Sequence, residues 1–260
     1  KEGSTEPPLF GDEKTIAALH AEDLNTHYKK FFVPENMVLC ISGNFKKDMV
    51  SRYVNEIFGN LQGKFFGQKP PLKTTQTEPR YLFKKSPSQT IGFKLCHKAY
   101  PYKHEKVIIM LLLADVLGGG ISSRLSLTVR EKLGLVYDIT CYPTMFSDVG
   151  SIDIYTSTKK ENFEKTTKAV IDEVHKFFRE GITEQELNRT EERVFSQTQV
   201  AMGSPLAMAN WFGVEELLVS PKMPDTPEKQ AQKIHNIKLA EVHNAISEIF
   251  VPEKRNFIVV

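Results

Sequence analysis

The sequence predicts an α+β protein: a mostly antiparallel sheet covered by long helices, preceded by a partial copy of the same domain. Three observations carry that expectation. SQTIGFKLCHKA from Ser88 and GSIDIYTST from Gly150 alternate apolar and polar residues with the period of a strand. KENFEKTTKAVIDEVHKFFREG from Lys160 and TEQELNRTEERVFSQTQVAM from Thr183 repeat their apolar residues with the period of a helix. Finally, AEDLNTHYKKFFVPENMVLCISG from Ala21 and AEVHNAISEIFVPEKRNFIVV from Ala240 share an Ala-Glu start, an amphipathic stretch, Phe-Val-Pro-Glu and a β-rich ending. Aligned on Ala-Glu the two segments lie 240 less 21, or 219, residues apart. Aligned on the Phe of Phe-Val-Pro-Glu they lie 250 less 32, or 218, apart, so one single-residue gap reconciles them.

Such a repeat divides the chain unevenly. Residues 1–63 hold the C-terminal part of a first copy, residues 64–79 are a linker, and residues 80–260 hold the second copy. The linker region GKFFGQKPPLKTTQTEPR is rich in Gly, Pro and Thr and has no periodicity. In the first copy the β-rich run is followed by the amphipathic helix FKKDMVSRYVNEIFGNL. In the second, RYLFKK opens the strands, VIIMLLLADVL from Val107 is a buried helix, and Ile121–Lys132 is a shorter α-helix with Ser122 or Ser123 as N-cap. VYDITCYPTMF and GSIDIYTST form a hairpin through Ser-Asp-Val. Gly181 ends one long helix, Thr183 and Glu186 stand at capping-box spacing at the start of the next, and further helices cover 205–219 and 238–249.

Composition narrows the function. A net charge of +2 gives no footing for nucleic acid or an anionic membrane. No apolar run is long enough for a transmembrane helix, and the polar, proline-bearing start is neither a signal nor a transit peptide. The compartment is left open, and the missing initiator Met points to a piece of a longer protein. Cys40, Cys96 and Cys141 each lie in strand-like apolar runs and read as buried free thiols. No two of the seven histidines stand at HExxH or HxxEH spacing, and there is no GxSxG, Walker loop or GxGxxG.

LADVLGGGISSRLSLTVREKLGLVYDIT closely resembles the second domain of the pitrilysin/insulinase family of zinc metallopeptidases, which includes the mitochondrial processing peptidases. The segment from His20 and GITEQELNRTEERV from Gly181 resemble other parts of that family, in the family's order. The resemblance implies two homologous domains that close like a clamshell, with the HxxEH zinc motif early in the first. This chain starts after that motif. Zinc is then expected in an N-terminal half or a partner, and no cofactor in this chain.

By the same resemblance, Arg130 and Tyr137 match the family's paired Arg and Tyr, which reach the substrate opposite the zinc. From the residues alone, an Arg in a last helical turn and a Tyr entering a strand are unremarkable. Arg124 reads as structural. The Gly118–Gly120 triplet reads as a tight exit from one helix into the next. The expected function is therefore the C-terminal half of a zinc metalloendopeptidase, inactive by itself, with an HxxEH-bearing half and an extended peptide as partners. The alternative is a non-catalytic partner or structural subunit of the same family. A second copy of the chain is a further candidate partner, through the apolar faces of residues 1–63.

Overall fold

A computed structural model describes residues 10–67, 76–219 and 225–260, and the chain divides into two compact units, Lys1–Pro70 and Pro71–Val260. The first unit holds α1 (Glu13–Ala17), α2 (Ala21–Phe31) and α3 (Lys47–Phe58). Its described residues are nearly all open to solvent. Among them only Val33 is buried, while Leu24 and Tyr28 on α2, Phe32 just after it, and Tyr53 and Ile57 on α3 are exposed. The segment from Met37 was expected to form a strand. It is extended but unpaired, because a strand needs a neighbour to take its backbone hydrogen bonds. Glu35 Oε2 accepts from the Phe65 N–H at 3.0 Å, which folds the start of the linker region onto the end of α2. Part of the linker, residues 68–75, lies outside the described residues.

The second unit is built on one five-stranded sheet. Its strands are β1 (Arg80–Phe83), β2 (Thr90–Ala99), β3 (Ile139–Met145), β4 (Gly150–Lys159) and β5 (Arg255–Val259), in the order β1-β5-β2-β4-β3. β1 and β5 pair in parallel and the other pairs are antiparallel. β3 pairs with β4 alone, and that edge position is what lets it contain Pro143, which has no N–H to donate. The helices are α4 (Val107–Gly118), α5 (Phe163–Glu180), α6 (Glu184–Met202), α7 (Pro205–Val214), α8 (Pro227–His235) and α9 (Leu239–Ile249). α8 was not foreseen, and a π-helical turn, Glu215–Val219, continues α7.

Phe93 and Leu95 of β2, Ile152 and Ile154 of β4 and Cys141 of β3 point to one side of the sheet, where α4 is buried among them. Cys40 and Cys96, expected in the interior, are only half-buried, since each lies where nothing in its own unit fully covers it; all three thiols are free. The two similar segments have similar local structure. α2 and α9 are each followed by a single 3-10 turn on Pro-Glu and then an extended run, at a constant offset of 218 residues (239 less 21, 252 less 34). Measured on the helices, the copies align without the gap that matching Ala-Glu required.

The glycine triplet serves close approach. None of the three has a positive φ. A Cβ on Gly118 would lie 2.5 Å from the backbone nitrogen of Cys141, so only glycine lets α4 end against β3. A Cβ on Gly120 would lie 2.9 Å from Arg193 Nη1. Arg193 reaches from α6, donating to the Gly119 carbonyl at 2.7 Å and pairing with Asp115.

Arg124 is structural, as read from the sequence. It grips Glu186 through two nitrogens at 2.6 and 2.7 Å, donates to the Gly181 carbonyl at 2.8 Å and lies over the Phe177 ring. Glu186 also takes the Thr183 N–H, completing the expected capping box of α6. One carboxylate thus joins the segment after the glycines to the α5–α6 corner.

Burial opposes ionisation of Glu186, but the hydrogen bonds from Arg124 and Thr183 outweigh it and hold its carboxyl down at about 2, below the ordinary 4.5. The stability this gives is fully present above pH 4.5 and is lost as pH falls from 4.5 through 2. His97 is buried in β2, and burial, with Arg255 nearby, pushes its imidazole down from 6.5 to about 3. Below pH 6.5 only the unfolded chain takes up that proton, so stability falls with pH here too. Glu186→Gln is expected to cost roughly 3 kcal/mol at pH 7 and to make the loss below pH 4.5 shallower, leaving the His97 loss that starts near 6.5 and the share of other carboxyls held low, such as Asp153. Urea unfolding at stepped pH checks both parts.

Candidate active-site arm

The segment expected to be α-helical from Ile121 to Lys132 is a π-helix over Ser126–Lys132. Ser123 does not cap it: the buried Ser123 hydroxyl has no hydrogen-bond partner in the described residues. A π-turn is wider than an α-turn and occurs mostly in single turns, often at functional sites. It ends at Gly134, whose φ of +59° is left-handed and suits a residue without a side chain. The Gly134 N–H donates to the Arg130 carbonyl at 3.1 Å and the Leu135 N–H to the Val129 carbonyl at 3.2 Å. These spans of four and six residues are each one wider than in the Schellman end of an α-helix, as the π-turn requires.

From Gly134 the chain runs as an arm to β3, and β4 holds it. Thr158 Oγ1 donates to the Leu135 carbonyl at 2.9 Å, and Thr156 Oγ1 donates to the Asp138 carbonyl at 2.6 Å. Both threonines are buried on the core side of β4. Thr166 of α5 adds a hydroxyl contact to Thr158 at 3.2 Å. Val136 tucks into the core between the two pinned carbonyls. Because Val136 points inward, its neighbour Tyr137 points outward, and its side chain is 91% exposed.

The arm brings the two expected residues together. The Arg130 guanidinium lies over the Tyr137 ring, 5.9 Å from its centre. A guanidinium over an aromatic face is attracted by the ring's electron density, by about 0.5–1 kcal/mol at an exposed position. Arg130 also approaches Glu131 at 3.5 Å. The phenol oxygen of Tyr137 makes no hydrogen bond in the described residues, and an exposed hydroxyl beside a fixed cation can donate to an incoming carbonyl oxygen. Sequence reasoning did not single out Thr156 and Thr158. Their only signal was hydroxyls at the inward positions of an alternating strand, which resembles ordinary strand composition.

The described residues include no group of three or more His, Cys, Asp or Glu placed to hold a metal ion. Among them no helix is long and apolar enough to cross a membrane.

The peptidase M16 inactive domain matches residues 18–194. A Bacillus subtilis protein named as an uncharacterized zinc protease, YmxG, is 24% identical over 95% of this chain and 59% of its own length. The chain thus spans under two thirds of that relative. Among solved structures, a protease from Helicobacter pylori superposes with a TM-score of 0.85 at 16% identity, covering 96% of this chain and 61% of that one. A peptidase M16 inactive domain from Pseudomonas fluorescens superposes at 0.83 with 19% identity, covering 96% and 59%.

If β4 holds the arm, Thr156→Val should keep the fold and release the Asp138 carbonyl. The expected loss is about 1 kcal/mol, with faster amide hydrogen exchange over residues 135–139 than in α5. Exchange there equal to that of the unsubstituted chain would show that the hydroxyl does not position the arm.

Proposed function

The chain belongs to the peptidase M16 inactive domain family, and on that premise we propose that it is the C-terminal half of a zinc metalloendopeptidase, presenting Arg130 and Tyr137 to a peptide held by an HxxEH-bearing half. The observation that carries this reading is the Arg130–Tyr137 pair itself. The tyrosine is 91% exposed on a firmly held arm, with the Arg130 guanidinium over one face of its ring and the rest of the side chain open to solvent. That arrangement suits a ligand brought from outside.

The chemistry follows from charge. Attack of water on a peptide carbonyl places negative charge on the carbonyl oxygen. The Tyr137 hydroxyl donates to that oxygen, and the Arg130 cation beside it favours the anionic form or fixes the next carbonyl along the peptide. One such donor is worth about 3–4 kcal/mol when it is aimed before the reaction starts. Pinned carbonyls on both sides of Val136 supply that aim, because the arm does not reorganise as the charge develops. The peptide lies extended, its backbone held by strand pairing.

The described residues offer no cluster of His, Cys, Asp or Glu placed to hold zinc. The proposal takes the metal, as a Lewis acid, from the HxxEH half, and the chain alone is inactive.

The test is reconstitution. The chain is mixed with a polypeptide carrying the HxxEH half, zinc is added, and cleavage of a quenched fluorescent peptide is followed. Activity should need both pieces and fall about 100-fold with Tyr137→Phe, which removes the hydroxyl and keeps the ring. A complex that forms and cleaves nothing, or one indifferent to Tyr137→Phe, would instead favour a non-catalytic partner subunit.

A further inference from the structure

A second feature of the same domain has the makings of a binding site. An open groove of about 720 Å³ runs between the π-helix and α5, within the size range of ligand sites. Its floor is apolar: Leu133 and Leu135, on either side of Gly134, face Ala169. Leu133 is 48% exposed, a large apolar side chain left uncovered at the groove.

The rim is cationic. Lys165, Lys176 and Arg179 line it, all three exposed. Of the groove's other charges, Lys168 and Asp172 match each other and the Glu173 carboxylate is buried below the rim. Lys168 pairs with Asp172 along α5 at 2.5 Å, and the buried Glu173 accepts from the Thr128 hydroxyl at 3.1 Å. Lys165, Lys176 and Arg179 make no ion pair among the described residues, and the lining's four cations against two carboxylates leave a net of +2, with the three unpaired cations exposed and Glu173 buried. The chain as a whole carries only +2, so this excess is local.

Spacing decides what could fill the groove. Residues 165, 176 and 179 lie on one stripe of a continuous helix. At 1.5 Å per residue, Lys165 and Lys176 stand about 16 Å apart along the axis, and Arg179 about 21 Å from Lys165. No small anion spans that distance. An extended peptide does so with about five or six residues at roughly 3.3 Å each. The floor has no exposed aromatic ring on which a base could stack, and two carboxylates share the stripe, so a nucleic acid strand is a poor match.

We propose that this groove binds an extended acidic peptide segment, with carboxylates at its two ends meeting Lys165 on one side and Lys176 and Arg179 on the other, and apolar side chains in its middle on Leu133, Leu135 and Ala169. The site is separate from the reacting pair but shares its arm, since Leu133 and Leu135 flank the glycine that turns the chain from Arg130 toward Tyr137. A peptide in the groove therefore sits against the segment that aims the pair.

The test uses the full chain without any HxxEH half, so its outcome is independent of the catalytic proposal. Fluorescence anisotropy is followed with a labelled octapeptide that has two glutamates at each end and four leucines or alanines between. A twin carries lysine in place of each glutamate. The acidic peptide should bind and the basic twin should not. Joint Lys165→Glu, Lys176→Glu and Arg179→Glu, all at exposed positions, should weaken the acidic peptide at least tenfold and create binding of the basic twin. That exchange of preference cannot come from misfolding. Leu133→Asp should weaken the acidic peptide with the rim intact. Equal binding of both peptides, acidic binding unmoved by the triple reversal, or tighter binding of a single-stranded oligothymidylate than of the acidic peptide would each overturn the proposal.

Discussion

The burial of α4 is the constraint on which the second unit depends. The helix is apolar on nearly every side and has Met110, Leu113 and Leu117 fully enclosed. A helix of that kind must be covered all round, and its covers are the sheet, α6, α8 and α9. Its C-terminal end then needs room where there is none, directly against β3. Gly118 removes the Cβ that would strike Cys141, and Arg193 closes the other side by tying Gly119 and Asp115 to α6. The segment that leaves this crowded point becomes the π-helix that carries Arg130.

From there the chain is held by polar contacts of high selectivity. Arg124 anchors the start of the segment to Glu186, and two threonine hydroxyls anchor its end to β4. Each contact satisfies a buried group that would otherwise cost about 1–3 kcal/mol. Between these anchors the alternation of an extended chain does the rest: Val136 goes in, so Tyr137 goes out. The exposed face that carries Tyr137 is thus set by the demands of the interior, and its exposure follows from packing without any further device.

Much of this was legible in the sequence. The long helices, the hairpin, the capping box at Thr183 and Glu186 and the C-cap at Gly181 all follow from period and local chemistry, and the structure has each of them. Arg130 and Tyr137 stood out through family resemblance rather than spacing, since residues seven apart share a face only along an unbroken helix, and here the helix ends and the chain turns at Gly134 between them. The π-helix was not legible, because an α-helix and a π-helix draw on the same side chains and differ only in which carbonyl each N–H reaches. Nor was the role of the glycines. A run of three suggests a flexible turn, whereas here it marks contacts with atoms distant in sequence. The unpaired stretch after Met37 shows the reverse case. Its residues suit a strand, and its counterpart 218 residues on is β5, held between β1 and β2, but no such neighbours pair with it among the described residues.

The central claim is that Tyr137 touches the peptide in the assembled peptidase. The most direct measurement is photo-crosslinking from that position. Tyr137→p-benzoylphenylalanine would be introduced into the chain, the HxxEH half and a labelled peptide added, and the adduct mapped by mass spectrometry, with the exposed Val200 of α6 as the control position. The account predicts a peptide adduct at residue 137 and none at residue 200. Adducts only to the chain itself or to the other half, with peptide bound, would contradict it.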